Sequence, residues 1–269
     1  MTAPAAASPA VRSRAVTGTL WLLVSAASFG TTSIIAARGT ADGTSLLTLL
    51  GWRYVFATAM LAIVAGGWGA LRGAGPAVRR LMWQGGAAQA AIAFLSLSAL
   101  RWIPPATLAF LFYTYPIWVT LLAAVRGSEP LDARTLVAVV LSSIGLAIIV
   151  GNPLAGPLDI RGVALAIGAA MLYALLIPWL GRVQQGVAPA VASAWIAAGA
   201  TVFLWLGMLV ARAALLPSAP TPYAWAALMA LIPTTLAFIA FLAGLARLGP
   251  VRAAIVSTVE PFWTALLAA

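Results

Sequence analysis

One stretch of this chain occurs twice. LRWIPPATLAFLFYTYPIWVTLLAA (residues 100–124) and LARLGPVRAAIVSTVEPFWTALLAA (245–269) align without a gap. They share Leu100/Leu245, Pro105/Pro250, Ala109/Ala254, Pro116/Pro261, Trp118/Trp263 and a closing Leu-Leu-Ala-Ala. Leucine and alanine coincide easily in an apolar chain, so the weight falls on two prolines and a tryptophan held at fixed spacing. Each copy opens on a Pro-containing turn and then runs apolar for a helix's length, except that Glu260 stands where the first copy has Tyr115. A proline inside a spanning helix removes a backbone hydrogen bond and kinks it, which membranes tolerate where neighbours re-satisfy the freed carbonyl. Pro116 and Pro261 are therefore read as kinks in a symmetry-related pair of helices near the centre of a membrane protein.

The bulk chemistry agrees. Of the residues 63% are apolar and 7% charged, against about 25% charged in an ordinary soluble domain. With no Cys and no His, disulfides, thiolate and imidazole chemistry and most transition-metal sites are excluded, and no metal or cofactor is expected. All fifteen basic residues are Arg. They fall singly or in small groups between apolar runs, the placement that orients membrane helices, so the net charge of +10 implies no nucleic-acid partner.

Residues 1–15 are small, polar or proline-rich and are expected to be a disordered cytoplasmic N-terminus. The run from Val16 to Ala37 follows Arg12 and Arg14 like a signal peptide, but at about 20 residues it spans a bilayer, where a signal core has about 7 to 15. Further helices are expected near 45–66, 81–100, 104–125, 133–151, 161–181, 189–211, 222–244 and 250–269. Trp21, Trp52, Trp68, Trp83, Trp102, Trp179 and Trp225 lie towards their ends, as interfacial anchors do. Shifting the first helix by 144 residues sets Gly18 on Gly162, Ala26 on Ala170, Phe29 on Tyr173 and Arg38 on Arg182. The inferred fold is all-α integral membrane, with two five-helix repeats at 16–151 and 160–269. An odd number of helices per unit inverts the second relative to the first, an arrangement common in secondary transporters. With a cytoplasmic N-terminus, Arg12, Arg14, Arg72, Arg79, Arg80, Arg126, Arg134, Arg182, Arg247 and Arg252 lie inside, and only Arg38, Arg101, Arg161 and Arg212 outside. That bias favours a multi-pass membrane protein with its N-terminus in the cytoplasm.

Arg53 falls within the second helix. A central Arg or acidic residue costs about 2.5 to 3.5 kcal/mol to insert and normally faces a partner or a wet cavity. Arg53 either snorkels to the outer interface along its stem or serves the interior. Glu260, midway along the last helix beside Pro261, is either half of a structural contact or a site that loads a proton or receives a substrate amine. Gln84, Gln89, Ser96 and Ser98 on helix 3, Tyr113, Tyr115 and Trp118 on helix 4, and Ser257, Thr258 and Trp263 on helix 9 are candidate walls of a cavity on the pseudo-two-fold axis. Gly162, Ala166, Ala170 and Ala174, four apart, read as close helix packing.

These segments resemble the ten-helix, EamA-type carriers of the drug/metabolite transporter superfamily. The resemblance is carried by LLTLLGWRYVFATAMLAI with Arg53, by YTYPIWVTLLAAVRGSEPL with Gly127 and Glu129, and above all by LARLGPVRAAIVSTVEPFWTALLA. It covers nearly the whole chain. It implies an integral inner-membrane carrier of two inverted five-helix repeats, in a family many of whose members export amino acids or other metabolites. Arg53, Pro116, Glu260 and Pro261 match features of that family, and the chain looks most like its aromatic amino-acid exporters. One departure is that the sequence ends at Ala269 without a tenth helix, so a further stretch of about 27 residues is expected in the natural reading frame, by analogy with 125–151.

Function follows as expectation. Aromatic rings can stack on a substrate ring or attract an ammonium group, and Arg53 and Glu260 offer a cation and an anion to an amino-acid zwitterion. Efflux of amino acids, aromatic ones preferred, by alternating access is the first expectation, from a chain working as a monomer among membrane lipids. Export of organic cations or drugs is the alternative, and a channel or lipid scramblase the other class. No ATP-binding motif is seen, and an enzyme is not expected.

Overall fold

The computed structural model describes residues 9–67, 69, 71, 75–127, 132–151, 158–217 and 219–268. Trp68, Arg72, Glu129 and residues 1–8 lie outside them. Among the described residues there are nine helical rods and no strand. They are α1a (Pro9–Gly30) and α1b (Thr32–Gly39), α2 (Leu46–Val64), α3 (76–99), α4a (Pro105–Phe112) and α4b (Tyr115–Val125), α5 (Ala133–Val150), α6 (Ile160–Val183), α7 (Pro189–Val210), α8 (Thr221–Leu248), and α9a (Pro250–Ser257) and α9b (Glu260–Ala268). Six of the rods are long and apolar enough to cross a membrane.

The chain punctuates these rods with the expected chemistry. Ser45, Asp132 and Asp159 cap α2, α5 and α6 by accepting from Thr48 N, Thr135 N and Arg161 N, which satisfies orphan donors of the first turn. The hydrogen bonds from Thr135 hold the exposed Asp132 carboxyl below the usual carboxylate range. Prolines at 76, 105, 189 and 250 open α3, α4a, α7 and α9a, where a missing N–H is harmless. Gly249 (φ 79) ends α8 and lets Pro250 begin α9a at once. One expectation needs correcting: α1a starts at Pro9, so residues 9–15 are helical rather than disordered. Its first turns are tied down, because Arg14 Nη2 donates to Ala246 O at 3.4 Å and Thr17 to Ser13 O at 2.9 Å.

Each half repeats the packing of the other. α1 lies on α8 and α9, and α6 lies on α3 and α4; α3 packs on α7, and α8 on α2; α2 and α7 pair with each other. α2 and α7 run antiparallel, with Thr48 bonded to Ala214 O and Thr58 to Thr201. Exchanging α1–α4 for α6–α9 leaves this scheme unchanged. The small-residue stripe of α6 packs as expected, with Ala166, Ala170 and Ala174 all at 0% exposure and Gly162 against Trp102 and Ile103. Large apolar side chains such as Val125 and Val210, each 86% exposed, face outward, as a lipid-facing surface requires.

Both duplicated helices break at the same repeat position. α4 opens at 113–114 and α9 at 258–259, each a two-residue turn just ahead of the second half-helix. Pro116 and Pro261 then sit at the second residue of α4b and α9b. The interruption expected at the prolines therefore falls before them. A proline at 116 or 261 cannot bond to the carbonyl four residues back, at Phe112 or Ser257, and each first half-helix ends on that residue. α3 and α8 carry a different irregularity, a π-helical turn at Leu81–Gly85 and at Leu231–Leu236.

Candidate functional site

A cavity of about 640 Å³ is enclosed by residues from the late turns of α1, α3 and α9 and the early turns of α2 and α4, closed behind by α6 and α8. It therefore lies towards the end of the bundle away from Arg14, Arg126, Arg182 and Arg247. Its wall is mostly apolar, with Arg53, Tyr54, Gln89, Tyr113, Tyr173 and Glu260 as its main polar members.

Arg53 is held inside the protein at 6% exposure, bonded to α8 instead of extended to the interface. The π turn of α8 is what receives it. Pro233 lacks an N–H, and the Pro233 carbonyl accepts from Arg53 Nη2 at 2.8 Å. The Thr234 hydroxyl accepts from Arg53 Nε at 2.6 Å and donates to Met229 O at 2.8 Å. Two charge-assisted bonds at about 1.5 to 3 kcal/mol each offset an insertion cost of about 2.5 to 3.5 kcal/mol.

Glu260 opens α9b and lines the cavity with Pro261, Thr264 and Ala265. Its carboxylate lies beside the Tyr113 hydroxyl and within the field of Arg53, all three lining the same cavity. Thr264 Oγ1 donates to Gly30 O at 3.0 Å, pinning α9b to the break in α1. Tyr115, the repeat mate of Glu260, is only 1% exposed. Its hydroxyl donates to Ala254 O at 3.4 Å, so it contributes to the cavity lining chiefly through its ring. Gln89 also belongs to the cavity, with Nε2 donating to the Tyr54 hydroxyl at 3.0 Å.

Ser96, further along α3, lines the cavity as well. The remaining sequence candidates lie elsewhere. Gln84 is exposed on the π turn of α3. Trp118 donates to Thr114 Oγ1 at 3.3 Å, one turn back along α4, and Thr258 donates to Ile255 O at 2.7 Å. Ser257 is buried outside the cavity wall, and so is the Trp263 indole N–H, which has no hydrogen-bond partner.

Sequence reasoning missed most of the aromatic wall. Phe112 stacks on Tyr173 with centroids 5.5 Å apart and planes at 26°, and Tyr173 meets Tyr115 edge-on at 4.8 Å. Phe241 continues the stack at 6.5 Å from Tyr173, while Phe238 meets Phe29 at 5.7 Å and Tyr54 at 6.3 Å. A signal was available: the 144-residue shift had already set Phe29 on Tyr173, and both face this cavity.

Inverted halves, paired broken helices and a charged cavity between them define a polytopic membrane carrier. Residues 16–151 and 160–269 match the EamA-like transporter family, and the chain belongs to that family, within the drug/metabolite transporter superfamily. It is thus a membrane transporter of small solutes. A crystal structure of a protein 20% identical in sequence shares the fold, with a TM-score of 0.75 over 94% of this chain and 87% of that one. No curated protein matches.

Proposed function

We propose that the chain exports amino acids, aromatic ones preferred, by alternating access across the bacterial inner membrane with its N-terminus in the cytoplasm. The observation that carries this reading is the pairing of Arg53 and Glu260 in one aromatic cavity of about 640 Å³, a volume within the usual range for small-ligand sites. A guanidinium suits a carboxylate, a carboxylate beside a tyrosine suits an ammonium group, and the faces of Tyr113 and Tyr173 suit a substrate ring. The first half supplies the cation and the second half the anion, so a zwitterion bound between them senses the relative position of the halves. The orientation rests on the ten arginines at one end against four at the other. Proteoliposomes holding the protein should take up radiolabelled phenylalanine and tryptophan faster than threonine, and a quaternary ammonium slowest. Movement of the cation with none of the amino acids would overturn the amino-acid reading and leave a drug exporter.

A further inference from the structure

A second cavity, of about 820 Å³, lies at the opposite end of the bundle, between the halves. Arg14 and Arg126 of the first half and Arg182 and Arg247 of the second line it, beside the starts of α7 and α9a at Pro189 and Pro250. Two of these arginines are committed to helix ends, Arg14 to Ala246 O at 3.4 Å and Arg247 to Ala243 O at 2.7 Å. Arg126 and Arg182 are exposed, and their guanidinium groups make no hydrogen bond among the described residues. Acidic partners are scarce. Of the five acids in the chain, Asp42 and Asp159 are at the far end, Glu260 is in the central cavity, and Asp132 is spent on the cap of α5. Glu129 lies outside the described residues, and one carboxylate against four guanidinium groups would still leave the basin cationic. Screening at physiological salt acts over about 8 Å, too far to hide like charges around one basin.

We propose that this basin binds a phosphate-bearing anion, from a lipid headgroup or a soluble phosphate, that bridges Arg126 of the first half to Arg182 of the second. Guanidinium groups hold phosphate oxygens in bidentate fashion, and basic pockets between spanning helices on the cytoplasmic side are suited to anionic headgroups. Because the lining comes from both halves, the occupant favours the state in which they meet at this end and the central cavity opens at the other. That consequence rests on the alternating-access reading; the binding does not.

The test needs no transport. Thermal unfolding of the purified full chain is followed in neutral detergent with inorganic phosphate, then in nanodiscs of phosphatidylcholine with and without phosphatidylglycerol. Stabilisation by phosphate in detergent identifies a soluble anion, and stabilisation by phosphatidylglycerol alone identifies a lipid headgroup. In either case Arg126→Gln/Arg182→Gln should weaken apparent binding at least tenfold, Arg126→Lys/Arg182→Lys several-fold, and Arg101→Gln at the far end not at all. If the glutamine pair fails to fold, the lysine pair decides. Responses equal to those of the native chain, or no response of the native chain to either probe, would overturn the proposal.

Discussion

α3 and α8 hold the same place in the two halves, starting at residues 76 and 221, and each contains a π-helical turn. The turns are used differently. In α3 the irregularity sits near the start, at Leu81–Gly85, and the helix comes into backbone contact with α7: a Cβ on Gly199 would collide with Met82 O. In α8 it comes later, at Leu231–Leu236, and its carbonyl and hydroxyl hold the Arg53 guanidinium. π turns inside α-helices are frequent at functional sites, and here one is closed by packing while the other is opened to a charge. The duplicated backbone thus carries unlike chemistry, as the broken helices show again with Tyr115 in α4 and Glu260 in α9. Asymmetric substitution at a few repeat-related positions gives a symmetric scaffold one polar site.

Filling the α3 contact should have the largest effect. Gly199→Ala places a methyl group against backbone atoms that cannot swing away, and should destabilise the protein by about 3 kcal/mol, the top of the usual overpacking range. Gly207→Ala, eight residues along α7 with open space around it, should be neutral or stabilising by about 0.5 to 1 kcal/mol. Thermal unfolding in detergent compares the two, and equal midpoints would mean that the α3 turn is not closed by this contact. The α8 turn is probed by Thr234→Val, which leaves Arg53 Nε without its acceptor and should cost about 2 kcal/mol, as for a buried donor left unpaired. A stability loss without any change in substrate affinity would show that the turn supports the helix and not the cavity.

The sequence made the broad outline legible because its signals were periodic or categorical. Nine apolar rods, the 145-residue repeat and the interruptions near Pro116 and Pro261 all follow from spacing. The two π turns did not, since a one-residue phase change in the middle of an apolar helix leaves no compositional mark. Gln84, expected at the axis, sits on the first of these turns and is exposed. The same uncertainty of phase hid Tyr54, which immediately follows Arg53 and also faces the cavity. Arg53 and Glu260 stood out because isolated charges in apolar runs are rare; the Phe112–Tyr173–Phe241 stack did not, because aromatic residues are common throughout.

The acid of α9 sharpens the comparison further. Glu260→Gln keeps the shape and one acceptor but removes the charge that its mate Tyr115 never had, making the halves more alike. Transport of a zwitterion should fall about tenfold, or about 1.4 kcal/mol, while the unfolding midpoint stays close to that of the native chain. Transport assayed across a pH series should also flatten. Full activity at every pH would reduce Glu260 to a structural part of the α9 break.

The smallest expected effect separates the hydroxyls beside the two breaks. Tyr113 and Thr258 are repeat mates, yet Tyr113 lines the cavity beside Glu260, whereas Thr258 donates to Ile255 O in its own helix. Tyr113→Phe removes the hydroxyl and keeps the ring, so it should cost about 1 kcal/mol, or about fivefold in transport. Thr258→Val touches only a local bond and should change transport by less than twofold, because its hydroxyl does not line the cavity. Combining Tyr113→Phe with Glu260→Gln tests whether the two act together. Residues in contact give non-additive losses, so the double variant should be little worse than Glu260→Gln alone. Multiplied losses would mean that Tyr113 meets the substrate by itself, and that the hydroxyl contributes through the aromatic wall rather than through the acid.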